Sequence, residues 1–306
     1  MYSYRAYGLI VYSPFPLPEL ITSCEVDADV IIQLQKLEHS PLKTNSAAHC
    51  FQLTSEGMYL YWQGVGTFLI QDGKRIIIDP VPEADEDRLR LFILGAAIGV
   101  LLHQRGYLVL HASAVTINDS GVAFIGDKGW GKSTMVAALH ARGHSLIGDD
   151  VIAVDLNNSN QVLVIPAFPQ LKLWPDAVAG LGGNPEELPR LVSHLEKRDR
   201  RITHGFTEKT IPLQQIYVLG IDVNVEIQPL QPQKILTYLF RNSYITRFGN
   251  ELLQPNGASH FLKLTKLANL VSISRLLRPS SLQLLPNVCQ LVEQHFERQI
   301  STANFV

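Results

Sequence analysis

The chain has 306 residues, 46% of them hydrophobic and 18% charged, with a formal net charge of −2. That suits one large globular domain, or a large one beside a small one, and gives no electrostatic reason to expect nucleic acid as a partner. Cys24, Cys50 and Cys289 are odd in number, far apart and without a C-x-x-C pair, which argues against a zinc framework or a disulfide scaffold.

The N-terminus has no basic stretch leading into an apolar run, so no signal peptide is read there. The most apolar segment, 91–102, is too short to span a bilayer. A cytoplasmic protein with no membrane partner is expected.

In chain order, "YRAYGLIVYS" alternates loosely and is stopped by "PFPLPEL", whose three prolines bar regular structure. "DADVIIQLQKL" reads as a strand. "MYLYWQGVGTFLIQDGKRIIIDP" reads as successive short strands, with Asp72-Gly73 offering a hairpin turn. The pattern then changes. "PVPEADEDRLRLFILGAAIGVLLHQRG" opens on acidic residues, repeats apolar residues at helical spacing and ends on Gly106, which predicts a helix. A domain boundary is placed just ahead of it, giving a small β-rich domain over 1–88 and a larger one over 89–306.

From residue 107, "YLVLHASAV" reads as one strand and "GVAFI" as the next, followed by a glycine-rich loop and the helix "KSTMVAALHARG", closed by Gly143. "SLIGDDVIAVD" reads as a strand breaking into a second. "NQVLVIPAF" continues the β pattern, and "LKLWPDAVAGLG" reads as a short helix. "EKRDRR" is taken as a loop, either solvated or phosphate-handling. "PLQQIYVLGI" and "VEIQPLQ" are strands. From Gln233 the chain reads as mostly helical, including "PQKILTYLFRN", "HFLKLTKLANLVSI" and "NVCQLVEQHFERQI". The expected class is α/β, with a sheet around the loop.

That loop, "FIGDKGWGKST", has the form G-x-x-x-x-G-K-S, with Gly126, Gly131, Lys132 and Ser133 at the fixed positions. A strand before it and a helix after it are the context in which such a loop wraps backbone N–H groups around phosphates. The lysine then reaches the terminal phosphates and the serine hydroxyl joins the shell of Mg²⁺. Gly126, Asp127, Lys128, Gly129, Trp130, Gly131, Lys132, Ser133 and Thr134 are therefore the expected nucleotide-binding residues, with ATP and Mg²⁺ as ligands. Trp130 is bulky for its place in the loop. It either packs on a neighbour away from the phosphates or forms a platform over the acceptor.

Seventeen positions after Lys132, "LIGDD" ends an apolar run on Asp149 and Asp150. One carboxylate can complete a metal shell with Ser133 while the other accepts a proton from an attacking hydroxyl. The sequence leaves open which does which. His111, in an apolar strand expected beside the loop strand, is a candidate neighbour of the terminal phosphate. Lys197, Arg198, Arg200, Arg201, Arg241 and Arg247 are candidates for positive charge at the transition state, and "FRNSYITRFG" is the segment of most interest among them.

The ordered set "LHASAV…GVAFIGDKGWGKST…ALHARGHSLIGDDVIAV" resembles the catalytic domain of the bacterial HPr serine kinase/phosphorylase family. More distantly it resembles the nucleotide core of phosphoenolpyruvate carboxykinase. The N-terminal "YRAYGLIVYSPFPLPEL" resembles a subgroup of HPr-kinase-like proteins in which the core follows a short β-rich domain, and some of whose members phosphorylate a lasso-peptide precursor. The resemblance implies a P-loop kinase core in which Lys132 binds the β- and γ-phosphates. It implies that Ser133 and one of Asp149 and Asp150 hold Mg²⁺, that Asp149 or Asp150 is the general base, and that His111 lies close by. The chain departs from the family at Thr134, where an acidic residue is usual, and shows no copy of the later arginine-bearing signature.

The expected activity is transfer of the γ-phosphoryl group of ATP to a hydroxyl, with a seryl one favoured, on a peptide, protein or small molecule. The alternative is a nucleotide-binding regulatory module with little or no transfer. Assembly into a homo-oligomer is compatible with either.

Overall fold

The computed structural model describes residues 1–38, 40, 48–158 and 160–303. Its class is mixed α/β, with the described strands gathered in three sheets. The first sheet has eight described strands in the order Ile21–Thr22, Tyr2–Ala6, Leu9–Ser13, Val30–Leu34, Arg75–Pro80, Gly66–Gln71, Met58–Trp62 and His49–Leu53. Asp72 and Gly73 both have positive φ, 55° and 63°. That is what a two-residue hairpin turn requires if its twist is to match the strands it joins. Side chains alternate across this sheet. Met58, Leu60, Phe68, Ile70, Ile76 and Ile78 face the main core, while Tyr59, Leu69 and Ile77 form a small cluster on the other face.

Against the inner face lies a continuous helical stretch made of Glu86–Phe92, a π-helical turn over Ile93–Ala97, and Ile98–Gln104. Asp85 caps it by accepting from the Arg88 backbone N–H, and Glu86 and Asp87 add negative charge to its first turn. The helix predicted from the sequence is therefore present, with one wide turn inside it. One buried cluster runs from the first sheet through this helix to Val151, Ile165, Tyr244 and Phe248. The first sheet thus covers apolar surface of the rest of the chain.

The second sheet carries the glycine-rich loop. Strand Ser120–Ile125 runs parallel to Ile211–Ile221, which runs parallel to Ser272–Arg278. On its other side Ser120–Ile125 pairs antiparallel with Ser113–Ile117, and that strand with Leu146–Asp149. The loop helix, Lys132–Ala141, packs on this sheet, and the C-terminal helix, Leu285–Ala303, packs beside it. Met135, Val136, Leu139, Val288, Cys289 and Val292 are among the residues of their shared core. A third sheet of three described strands in the order Gln170–Leu173, Leu195–Arg201 and Arg190–Val192 brings Lys172 and Lys197 to the cavity described below.

Four readings of the sequence need correction. "YLVLHASAV" is two strands, Leu108–Leu110 and Ser113–Ile117, broken at His111. The two pieces join different neighbours, Ile152–Asp155 and Ser120–Ile125, so the chain steps between them. "EKRDRR" is strand, because residues 198–201 of Leu195–Arg201 pair with Gln170–Leu173 on one side and Leu195 and Arg198 pair with Val192 and Arg190 on the other. "LKL" at 171–173 is strand, and the helix begins only at Pro175. The helix through "LTKLANL" stops at Leu270, and the β-branched residues of "VSIS" open the strand Ser272–Arg278.

Candidate active site

The loop between Ile125 and Lys132 leaves the end of an interior strand and turns into the helix over six residues. Gly131 has φ 77°, where a side chain is strained, and a Cβ there would also displace the Arg278 guanidinium. Gly126 has φ 148°, and its N–H donates to Asn242 Oδ1 at 3.0 Å. Asn242 sits at the head of the "FRNSYITRFG" segment, so this segment braces the loop from outside.

Lys132 is 7% exposed, and its Nζ donates to the carbonyls of Gly126 at 2.7 Å and Asp127 at 3.3 Å. Burial lowers its ammonium to about 8, against the opposing pull of Asp150 and Asp149. A polyphosphate anion would return the charge balance that burial removes.

Ser133 Oγ donates to Asp149 Oδ1 at 2.8 Å, and Ser113 Oγ donates to the same oxygen at 2.6 Å. The Lys172 backbone N–H donates to Asp149 Oδ2 at 2.9 Å. At 3% exposure this carboxylate is buried and held on both oxygens. It ends the strand Leu146–Asp149, and the next residue turns out of it: Asp150 has φ 77°, a strained value for a residue with a side chain.

That turn aims Asp150 at the open space. His111 Nδ1 lies 3.0 Å from its Oδ1, Lys172 Nζ 3.3 Å from its Oδ2, and Arg247 Nη2 4.0 Å from its Oδ1. Burial pushes the carboxyl up. Lys172, the His111 hydrogen bond and Arg247 outweigh that and hold it well below the usual range. Its side chain is 28% exposed, so it remains open to a reactant.

These groups line a cavity of about 380 Å³ together with Lys128, Gly129, Lys197 and Arg278. The loop from Lys128 to Gly131, Lys132, Ser133, Thr134, Asp149, Asp150 and His111 therefore meet in one place, whereas Gly126 and Asp127 do not line the cavity. Trp130 is half-buried, packs against the core beneath the loop and also borders the cavity. Of the basic candidates, Lys197 and Arg247 reach the cavity. Arg198 is turned to Glu186, Arg201 to Asp199 and Glu19, and Arg241 is exposed.

Three residues of the site are missed by the sequence reading: Ser113, Lys172 and Arg278. Lys172 is 6% exposed between two buried leucines, and a lysine inside "QLKL" is the signal that could have found it.

A hydroxyl and a carboxylate bonded to one another at the foot of an anion-binding loop are the oxygen donors Mg²⁺ takes when phosphates and water supply the rest of its shell. Among the described residues no group of three or more His, Cys, Asp or Glu could hold a metal ion unaided. Among the described residues no helix is long and apolar enough to cross a membrane.

No family model matches the chain. Over 133 residues, 40% of this chain and 43% of the relative, it is 30% identical to HPr kinase/phosphorylase of Clostridium botulinum strain Eklund 17B, and equally to that of strain Alaska E43. It is 26% identical over 160 residues to HPr kinase/phosphorylase of Pelodictyon phaeoclathratiforme, covering 47% of each. The chain spans less than half the length of these curated relatives. Among solved structures it is similar to the Hpr(Ser) kinase/phosphatase from Coxiella burnetii, with TM-score 0.33 and 15% identity over 62% of this chain and 97% of that one. Fold and site define an α/β protein with a glycine-rich loop between a strand and a helix. Over the matched stretches the chain is similar to HPr kinase/phosphorylases.

Proposed function

We propose that the chain is an ATP-dependent kinase that phosphorylates a hydroxyl, a seryl one in a peptide or protein. The observation that carries this reading is the division of labour between adjacent carboxylates. Asp149 is tied to Ser133 at the loop, and Asp150 is turned by its positive φ into the cavity beside His111.

Bound Mg·ATP supplies the transferable γ-phosphoryl group. The backbone N–H groups of the loop and the start of the Lys132–Ala141 helix hold the phosphates. Lys132, now on the loop carbonyls, would pair with the terminal phosphates. Ser133 and Asp149 would hold Mg²⁺. Asp150 orients the acceptor hydroxyl and accepts its proton as the new O–P bond forms and the bond to the β-phosphate oxygen breaks. His111 and Lys172 fix the Asp150 carboxylate. Arg247 and Arg278, both at the cavity, supply positive charge to the transferring group. A carboxylate held well below its usual range is a weak base. That is tolerable where the transition state is loose and the proton leaves late.

Residues 1–88 are proposed as an acceptor-side domain and 89–306 as the catalytic domain. The cluster joining the first sheet to Val151 and Tyr244 supports a domain that also completes the fold. Transfer of labelled γ-phosphate to serine peptides, with Lys132→Ala as the comparison, tests the reading.

A further inference from the structure

A second cavity, of about 290 Å³, opens on the far side of Asp150. Asp150 and Arg247 belong to both cavities, so the two side chains form a partition between them. Beyond the partition the walls are aromatic. Phe51 and Trp62 come from the first sheet, Phe92 from the helix beside it, and Tyr244 and Phe248 from the segment that braces the loop.

The rings make a built surface. Trp62 and Phe92 have centroids 4.3 Å apart, Phe51 and Phe248 5.1 Å, and Phe51 and Trp62 5.6 Å. The Arg247 guanidinium lies over the Tyr244 ring at 4.6 Å. Gly95 and Ala96, in the π-helical turn, form a wall without bulk. A Cβ on Gly95 would meet only the Tyr244 hydroxyl, at 3.7 Å. The small residues keep the space open.

The rim is a strand edge. His49–Leu53 is the last described strand of the first sheet; among the described residues its one strand partner is Met58–Trp62, and the start of the helix Asn250–Leu270 lies at its Leu53 end. Ala48 O and the Thr54 N–H bond to the partner-strand side. Alternation therefore turns the backbone of His49, Phe51 and Leu53 outward. The Leu53 N–H is taken by Glu251, and among the described residues no backbone partner bonds to His49 or Phe51 there. An extended chain can add to such an edge and drop a side chain into the cleft.

We infer that the aromatic cleft behind Asp150 binds the acceptor as an extended peptide, with an aromatic or large apolar side chain within a few residues of its hydroxyl. This rests on reading Asp150 as the group that faces that hydroxyl. The partition then does what transfer requires: nucleotide on one side, acceptor on the other, and a shared carboxylate and guanidinium between them. A peptide is favoured over a small alcohol because His49 and Phe51, whose outward backbone groups no described backbone group fills, offer partners that a small alcohol cannot use.

The chain has three tryptophans, Trp62, Trp130 and Trp174, of which only Trp62 lines this cleft. A Trp130→Phe, Trp174→Phe protein therefore reports on the cleft by Trp62 emission alone, with no turnover needed. The probes are blocked pentapeptides with one phenylalanine one to three positions from one serine, the same peptides with alanine for phenylalanine, and N-acetylphenylalaninamide. We expect a saturable change in Trp62 emission with at least one phenylalanine peptide, at about 10-fold or greater preference over its alanine counterpart, as one buried ring gives. Ala96→Leu, which fills the cleft from a half-buried position without removing core, should weaken that binding about 10-fold or more while leaving binding of a fluorescent ATP analogue unchanged.

No Trp62 response to any phenylalanine peptide, equal response to the alanine series, or indifference to Ala96→Leu overturns the inference. Equally tight binding of N-acetylphenylalaninamide alone would assign the cleft to a small aromatic molecule and overturn the peptide. Saturable binding without transfer would uphold the cleft and count against the kinase reading. Transfer to these peptides without a Trp62 response would do the reverse.

Discussion

Ser133 Oγ donates to Asp149 Oδ1 across 2.8 Å, so the first turn of the loop helix and the end of the strand Leu146–Asp149 meet at one carboxylate oxygen. Ser113 donates to that oxygen as well, and the Lys172 N–H to its neighbour. The carboxylate is the joint between four elements and, in our reading, shares the Mg²⁺ shell with Ser133.

Asp149→Asn keeps one acceptor oxygen but turns an NH₂ toward a donor. The Mg²⁺ concentration for half-maximal activity should rise by roughly 10-fold or more, as loss of one charged oxygen ligand implies. Stability should fall by about 1–3 kcal/mol for the mismatched buried group. Magnesium titration and thermal unfolding read the two effects separately. An unchanged magnesium requirement would make Asp149 structural only.

Lys172 is the leading cause that lowers Asp150. With Lys172→Met the carboxyl should bind protons at higher pH than in the parent. Activity needs the ionised carboxylate, so it is lost as pH falls through the pKa of this group. The acid limb of the pH–rate profile should therefore move to higher pH in the variant. Its position is the readout, because loss of packing alone would lower the rate without moving the limb.

The C-terminal helix is tied to the end of the loop helix by Glu293. Arg142 Nε and Nη2 donate to its two oxygens, each at 2.7 Å, and His144 Nε2 lies 3.0 Å away. The Arg142 hydrogen bonds lead in holding Glu293 below its usual range, against burial. A depressed carboxyl stabilises the fold above its unfolded pKa, and that contribution is lost as pH falls through the folded one. Glu293→Gln should lower stability near neutrality by about 0.5–1 kcal/mol, because the solvent-exposed Arg142 is screened. The difference from the parent should shrink below the ordinary glutamate range. Thermal unfolding of both proteins across pH measures it.

Much of this architecture is legible in the sequence, for local reasons. Gly126, Gly131 and Lys132 stand at spacings that a strand, an anion-binding turn and a helix require. Asp72-Gly73 marks its hairpin for the same kind of reason. Lys172 is not legible from the helical reading of "LKLWPDAVAGLG", because its role comes from pairing with Leu195–Arg201 and from a carboxylate 22 positions earlier. The strand Ser272–Arg278 is hidden behind the apolar run of the preceding helix. Only its parallel pairing with Ile211–Ile221, a contact between distant segments, decides its state. The aromatic cleft is invisible to any local pattern, since Phe51, Phe92 and Phe248 come from three separate stretches.

The central claim is that Asp150 serves transfer to an acceptor hydroxyl rather than nucleotide binding. The direct measurement is transfer of labelled γ-phosphate to serine peptides by the parent protein and by Asp150→Asn, with binding of a fluorescent ATP analogue measured on both. We predict transfer by the parent, a fall of roughly 10²–10⁴-fold in the variant as for a lost general base, and nucleotide affinity within about 3-fold, or 0.7 kcal/mol, of the parent. Transfer at parental rates by Asp150→Asn, or nucleotide binding by the parent with no transfer to any hydroxyl, would contradict the account.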